Sequence, residues 1–320
     1  MNNKVCIELH TDNNYAIPAI VTITSILKNK NPDSLYEIRL LGNNLSDENI
    51  KLIEKTGVKV TPHKNSFTQF EGSHIFVSST DLFKFDLPEV LSDWDKVLYI
   101  DTDMIIQNDL SELFNTELGD NYVAAVKDMA GMIKGKHHTR NNLTNYFNAG
   151  MMLLNLKKMR EDGIKAKLID YKLYKDLGYF MSQDALNCTF EEKVVWLPPK
   201  YNYMAPNLTD FTANEICKFY NISEKEYNSL INNAVIIHMT NKDKPWNYTD
   251  TYGHKIWMKY FKKSVATHKH LNLKSLNKPK YRLFLDKIFS VKNETINNKQ
   301  FKVWTVFGLR IKYKKKEKIK

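Results

Sequence analysis

The chain has 320 residues, 42% hydrophobic and 12% aromatic, enough to bury the core of one large α/β domain with an appendage. No uninterrupted apolar stretch approaches the roughly 20 residues of a membrane-spanning helix, the start MNNKVCIEL lacks the order of a signal peptide, and Cys6, Cys188 and Cys217 show neither zinc nor disulfide spacing, so a cytoplasmic protein with reduced thiols is expected. The net charge of +11 is unevenly spread: residues 265–320 hold 16 of the 47 Lys and Arg and 3 of the 36 Asp and Glu, which puts +13 on the tail and −2 on the rest.

Short β-rich runs alternate with longer amphipathic segments through the first two hundred residues, the pattern of βα units around a mostly parallel sheet. Lys4 to Leu9 reads as the first strand and Tyr15 to Leu27 as a helix. Tyr36 to Leu41 reads as the second strand. Ser46 then caps a helix with Asp47 and Glu48 in its first turn, which Gly57 ends. Val58 to Thr61 reads as a third strand. Val97 to Ile100 is apolar on both faces, as a central strand must be, and runs directly into Asp101-Thr102-Asp103. Later strands are expected at Tyr122 to Val126, Ala149 to Leu154, Val194 to Leu197 and Val235 to Ile237, with helices near residues 157–175, 183–191 and 250–263. The βα rhythm fades near residue 265, which divides the chain into a body, 1–264, and a basic aromatic segment, 265–320.

Two carboxylates at the carboxyl end of a central parallel strand lie where open α/β sheets bind ligands. Hard oxygen ligands at Asp101 and Asp103 suit Mn²⁺ or Mg²⁺, which bridges the phosphates of a nucleotide and neutralises a departing diphosphate. His238 follows another apolar strand and adds an imidazole. Locally, Asp-x-Asp also reads as a polar turn and His238 as a structural histidine.

Five separated blocks carry a resemblance. They are the first strand with Thr11-Asp12-Asn13-Asn14-Tyr15-Ala16, the run Asp95 to Asp103, Tyr146-Phe147-Asn148-Ala149-Gly150, Gln183-Asp184-Ala185-Leu186-Asn187, and His238 with Lys244-Pro245-Trp246. In this order they resemble glycosyltransferase family 8, in particular its bacterial lipooligosaccharide galactosyltransferases and general-stress-protein-type enzymes. The resemblance implies a GT-A (Rossmann-like) nucleotide-diphospho-sugar transferase fold with a mixed, mostly parallel sheet, and retaining transfer of a hexose from a UDP-sugar. It also implies Mn²⁺ on Asp101, Asp103 and His238. Asp12 and Asn14 match uridine contacts, although the local sequence reads equally as an Asx turn and cap. Lys244 matches a lysine on the diphosphate, and His10, Lys84, Thr102 and Asn241 complete the donor-binding set. Asn148, Gln183 and Asp184 form the catalytic group, with Asn148 and Gln183 matching residues that touch the donor sugar. A neutral amide is a poor nucleophile, so front-face attack by the acceptor hydroxyl is preferred to a covalent intermediate on Gln183.

Three departures leave the donor sugar open between galactose, glucose and an N-acetylated sugar. Ser182 replaces an acid, Lys84 an arginine, and Asn241 a glycine that approaches the phosphate. The acceptor is expected to be a saccharide or lipid-linked glycan of the bacterial surface, contacted by loops near 129–145 and 200–220. Alternatives are a glucosyltransferase elongating a protein O-glycan and a UDP-sugar-binding protein without transfer. The tail interleaves Tyr281, Phe284, Phe289, Phe301, Trp304, Phe307 and Tyr313 with lysines and has no recognised nucleic-acid motif. It is expected to dock on the inner, anionic face of the membrane, with Phe301 to Ile311 as a hairpin or strand.

Overall fold

The computed structural model describes residues 4–63, 82–136, 139, 141–174 and 181–276, and the backbone of 289–296, 299–306 and 309–314. The body's strands are Lys4–Thr11 (β1), Leu35–Gly42 (β2), Val60–Pro62 (β3), Lys96–Ile100 (β4), Met104–Ile106 (β5), Val123–Lys127 (β6), Phe147–Asn155 (β7), Val194–Trp196 (β8) and Ile236–His238 (β9). Seven of them form one sheet in the order β3-β2-β1-β4-β7-β6-β8, and β5 pairs with β9 in a second ladder. The pairings from β3 through β4 and between β6 and β8 are parallel, whereas β7 is antiparallel to both β4 and β6. This is the mixed, mostly parallel sheet expected.

Ile7 and Leu9 of β1, Leu98 and Ile100 of β4 and Leu153 of β7 have no exposed surface. Burying each such side chain stabilises the fold by about 1.5–3 kcal/mol before entropy is counted. Helix Ala16–Asn29 presents Ile20 and Ile23 to this core. Its Thr22 hydroxyl donates to the carbonyls of Thr102 (2.9 Å) and Met104 (2.8 Å), while Ile106 N donates to Ser25 Oγ at 2.9 Å. A buried helix therefore holds the backbone that carries Asp101 and Asp103.

Helix Asp47–Glu54 has Ser46 as its N-cap, as expected, with Ser46 Oγ accepting from Asn49 N at 3.3 Å. Gly57 follows with φ 89°, a conformation that favours glycine. The helix expected at 157–175 is divided into Leu156–Glu161 and Ile164–Tyr174 because Gly163 adopts φ 61°, and residue 175 lies outside the described residues. Helices Ala213–Tyr220 and Glu224–Asn233, each opened by a capping box, were not anticipated. The helix expected at 250–263 is shorter, His254–Phe261. In the tail, Phe289–Ile296, Lys299–Val306 and Leu309–Lys314 form an antiparallel three-stranded sheet, so the described residues of the run Phe301 to Ile311 are in strands, as expected. Tyr281, Phe284 and Phe307 lie outside the described residues. No helix among the described residues is long and apolar enough to cross a membrane.

One acid joins the second strand, the turn after the first helix and the loop after β5. Asp109 accepts from Asn31 N (2.6 Å), the Tyr36 hydroxyl (2.8 Å) and Ser111 N (2.8 Å). Burial pushes its carboxyl up, but these hydrogen bonds outweigh burial and bring it down to about 2. Its unfolded value is about 3.9, so the stability it adds is fully present above roughly pH 4 and is lost as pH falls toward 2. Asp109→Asn is expected to lower the urea midpoint at pH 7 and to flatten its acid limb between pH 4 and 2. An acid limb identical to that of the unsubstituted protein would contradict this.

Candidate active site

The strand ends define the site. β1 and β4 both end at the same edge of the sheet, and antiparallel β7 starts there, with Asp101 N donating to Gly150 O at 2.8 Å. β6 ends at the same edge and delivers Asp128, whose N donates to Tyr146 O at 2.9 Å. The β5–β9 ladder sets His238 opposite Met104, immediately after Asp103. Ligand atoms of Asp101, Asp103 and His238 consequently lie within 4.8 Å of one another.

The amide network fixes the histidine tautomer. Gly150 N donates to Asn148 Oδ1 at 3.1 Å, which assigns the Asn148 oxygen. Asn202 Nδ2 donates to that same oxygen at 3.0 Å, leaving Asn202 Oδ1 to face His238 Nδ1 at 3.0 Å. In the neutral ring Nδ1 therefore carries the proton, and the Nε2 lone pair points at Asp103 Oδ1, 3.1 Å away. A lone pair against a carboxylate oxygen is repulsive unless a proton or a cation lies between them. Asp103 Oδ1 is buried without a hydrogen bond. A Cβ on Gly150 would fall 2.5 Å from His238 Cε1 and 2.7 Å from Asp101 Oδ2, so the glycine leaves room for these two side chains to converge. Two carboxylates and an imidazole nitrogen arranged in this way fit Mn²⁺ or Mg²⁺.

Two ammonium groups flank the acids. Lys244 Nζ lies 2.7 Å from Asp103 Oδ2 and donates to Met239 O at 2.6 Å. Burial pushes the Asp103 carboxyl up, but the His238 ring and the Lys244 ammonium outweigh it and hold it well below the usual carboxylate range. Lys84, 5% exposed, donates to Ala149 O at 3.0 Å and lies 3.5 Å from Asp101 Oδ1. The Tyr99 hydroxyl donates to Asp101.

Beside this cluster is a cleft of about 510 Å³ lined by Asp103, Asp128, Gly131, Lys134, Gly135, Asn148, Gln183, Asn207, His238 and Thr240, among others. Gln183 Oε1 accepts from Ala149 N (2.9 Å) and Asn148 Nδ2 (3.3 Å), and its Nε2 donates to Asp128 Oδ2 at 3.2 Å. Asp184 lies behind Gln183: it is 3% exposed and accepts from the Tyr146 hydroxyl at 2.5 Å. Tyr146 and Phe147 are fully buried packing residues, and Ser182 is buried at 5%.

Asp12, Asn14, His10, Thr102 and Asn241 are the other positions of the expected donor-binding set. Asp12 Oδ1 accepts from Asn14 N (2.9 Å) and Tyr15 N (3.1 Å), the Asx turn that the local sequence suggested. The Tyr15 ring meets Trp246 edge-on with centroids 5.4 Å apart. Thr102 is buried and offers its carbonyl to Thr22. His10 packs against Phe83 with both ring nitrogens unpaired among the described residues, and burial, then His63 and Lys84, holds its ring well below the ordinary histidine range. Asn241 turns its amide to Asp243 O and to Thr251 Oγ1, so it is a loop-fastening residue in this state. Sequence reasoning passed over Asp128 and Asn202. Asp128 had a signal, an acid just beyond an apolar strand with only Lys127 between, close to the position of Asp101; Asn202 had none.

A model of glycosyl transferase family 8 matches residues 6–250. The chain belongs to that family. Among family relatives, it is 27% identical over 311 residues to a lipopolysaccharide 1,2-glucosyltransferase of Escherichia coli, covering 87% of each chain. It is 25% identical over 270 residues to general stress protein A of Bacillus subtilis, covering 78% of this chain and 92% of that protein. Among solved structures, the bifunctional glycosyltransferase WbbM superposes with a TM-score of 0.70 at 26% identity, over 82% of this chain and 50% of WbbM. The galactosyltransferase LgtC, in complex with donor and acceptor sugar analogs, gives 0.68 at 23% identity over 83% of this chain and 98% of LgtC, a likeness of fold. The protein thus has the GT-A fold and is a family 8 glycosyltransferase.

Proposed function

We propose that this glycosyltransferase moves a hexose, galactose or glucose, from a UDP-sugar to a saccharide acceptor of the bacterial surface with retention of anomeric configuration. The observation that carries the reading is the convergence of Asp101, Asp103 and His238 at the carboxyl edge of the sheet, with His238 Nε2 3.1 Å from Asp103 Oδ1. Bound there, Mn²⁺ or Mg²⁺ supplies charge neutralisation for the donor diphosphate. Lys244, on the same edge, offsets negative charge on the departing UDP. In this reading Asp12, Asn14, His10, Thr102 and Asn241 serve the nucleotide, while Asn148, Gln183 and Asp128, which line the cleft, serve the sugar.

Gln183 supports a front-face route. Its amide oxygen already accepts two hydrogen bonds, which withdraws electron density from the atom that a double displacement requires as nucleophile. The acceptor hydroxyl then attacks from the face UDP leaves, and a diphosphate oxygen takes its proton. Asp184 keeps helix Met181–Phe190 seated on Tyr146, so it positions Gln183. Division of the chain near residue 264, and docking of the basic tail on an anionic membrane carrying a lipid-linked acceptor, rest on the charge distribution.

The test is UDP release from a panel of UDP-sugars with Mn²⁺ present or chelated. Turnover of one UDP-hexose, lost with chelator, is the expected result. Absence of both turnover and UDP binding across the panel would overturn the reading.

A further inference from the structure

Glu8 lies in the middle of β1, a central strand, has no exposed surface, and neither carboxylate oxygen has a hydrogen-bond partner among the described residues. A buried carboxyl left in this condition destabilises the fold, and a leucine would fill the same space without that penalty. Its surroundings suggest what it does instead. Glu8 pairs in register with Tyr99 on β4, two residues before Asp101, and with Arg39 on β2. The Arg39 guanidinium is already engaged, 2.8 Å from Glu37 and 2.5 Å from Asp93. His10, the next residue on the same face of β1, is held toward its neutral form by burial. Among the described residues Lys84 and Asp101 are the charged groups that act on Glu8, and Lys84 lies over the Tyr99 ring, 4.7 Å from its centroid.

We propose that Glu8 is the buried counter-charge of Lys84 when a divalent cation occupies Asp101, Asp103 and His238, and thereby a positioning residue for that site. This rests on the metal reading above. Without a cation, Lys84 has Asp101 as its anionic partner at 3.5 Å. A cation on Asp101 takes over that carboxylate and places two further positive charges beside a buried ammonium. Lys84 then needs another anion. Burial raises the Glu8 carboxyl, Lys84 lowers it and Asp101 raises it again, so a cation that neutralises Asp101 shifts the balance at Glu8 toward the carboxylate.

The experiment is Mn²⁺ affinity of the full chain without donor, for the unsubstituted protein, Glu8→Gln, Glu8→Leu and Lys84→Met, and for each Glu8 change combined with Lys84→Met. Each Glu8 change is expected to weaken Mn²⁺ binding about tenfold, the scale of outer partners of metal ligands. Neither is expected to weaken it further once Lys84 is methionine. Glu8→Leu is also expected to raise Tm by about 2 °C or more, since it removes an unpaired buried carboxyl. Unchanged Mn²⁺ affinity in both Glu8 variants would overturn the proposal, as would an equal loss in the Lys84→Met background. If the unsubstituted protein binds no Mn²⁺, the metal reading itself fails and this proposal with it.

Discussion

Asp103→Ala is expected to lower UDP release by at least about a thousandfold, because it removes the carboxylate that faces both His238 and Lys244. Asp103 faces His238 Nε2 at 3.1 Å and Lys244 Nζ at 2.7 Å, and its backbone carbonyl accepts from Met239 N at 3.0 Å. Deleting the side chain leaves the Lys244 ammonium, 14% exposed at its side chain, without its carboxylate. Breaking a largely buried pair from one side costs about 3–5 kcal/mol, so some loss of stability accompanies the loss of turnover. Asp103→Asn separates the two effects. It keeps the volume and a hydrogen-bond acceptor but withdraws the charge that holds a cation. Asp103→Asn is therefore expected to fold, to bind Mn²⁺ far more weakly, and to remain at least about a hundredfold impaired at saturating UDP-sugar. Near-normal turnover by a folded Asp103→Asn protein would remove Asp103 from the metal site.

Gly150→Ala is expected to cost about a hundredfold in kcat/KM, although it adds one methyl group in a β-strand. The added Cβ would stand 2.5 Å from His238 Cε1, 2.7 Å from Asp101 Oδ2 and 3.0 Å from Asn148 Oδ1. Each of these belongs to the site, and none can recede without breaking something. His238 is held by Asn202, Asp101 by Tyr99, and Asn148 by the amides of Gly150 and Asn202. A shift of about 1 Å in a positioning group is enough for a loss of that size. Overpacking itself costs about 1–3 kcal/mol of stability. The decisive pair of measurements is kcat/KM and Mn²⁺ affinity on a protein shown by circular dichroism to be folded. Wild-type values of both would mean that the site can accept a side chain at the crossing of β4 and β7, contrary to the geometry.

Local physics made much of the fold legible in advance. The β1 run, the Ser46 cap with its acids, the stop at Gly57 and the apolar β4 all depend on residues within a turn or two of one another, and all are found. Helices Ala213–Tyr220 and Glu224–Asn233 carried equally local signals in Thr212 with Glu215 and Ser223 with Glu226, and could have been read from their capping boxes. The direction of β7 could not. Its sequence, FNAGMMLLN, is apolar on both faces and suits a parallel or an antiparallel neighbour equally, so only the packing of whole elements decides that it runs against β4.

By itself the sequence determined the family and the central strand ending in Asp101-Thr102-Asp103, and it pointed to His238 and Lys244, because five spaced blocks and a strand-end position are linear information. Tertiary structure decided how these members serve one another. Lys244 and Asp103 stand 141 residues apart and meet at 2.7 Å. The His238 tautomer is set by a relay through Gly150, Asn148 and Asn202. Glu8 reads as an unremarkable strand residue until burial and the neighbouring Lys84 give it a charge problem. The physical reason is the same in all three cases. Periodicity and caps are interactions along the chain, whereas a proton's location or a buried charge's partner depends on groups that only the folded sheet brings within a few ångströms.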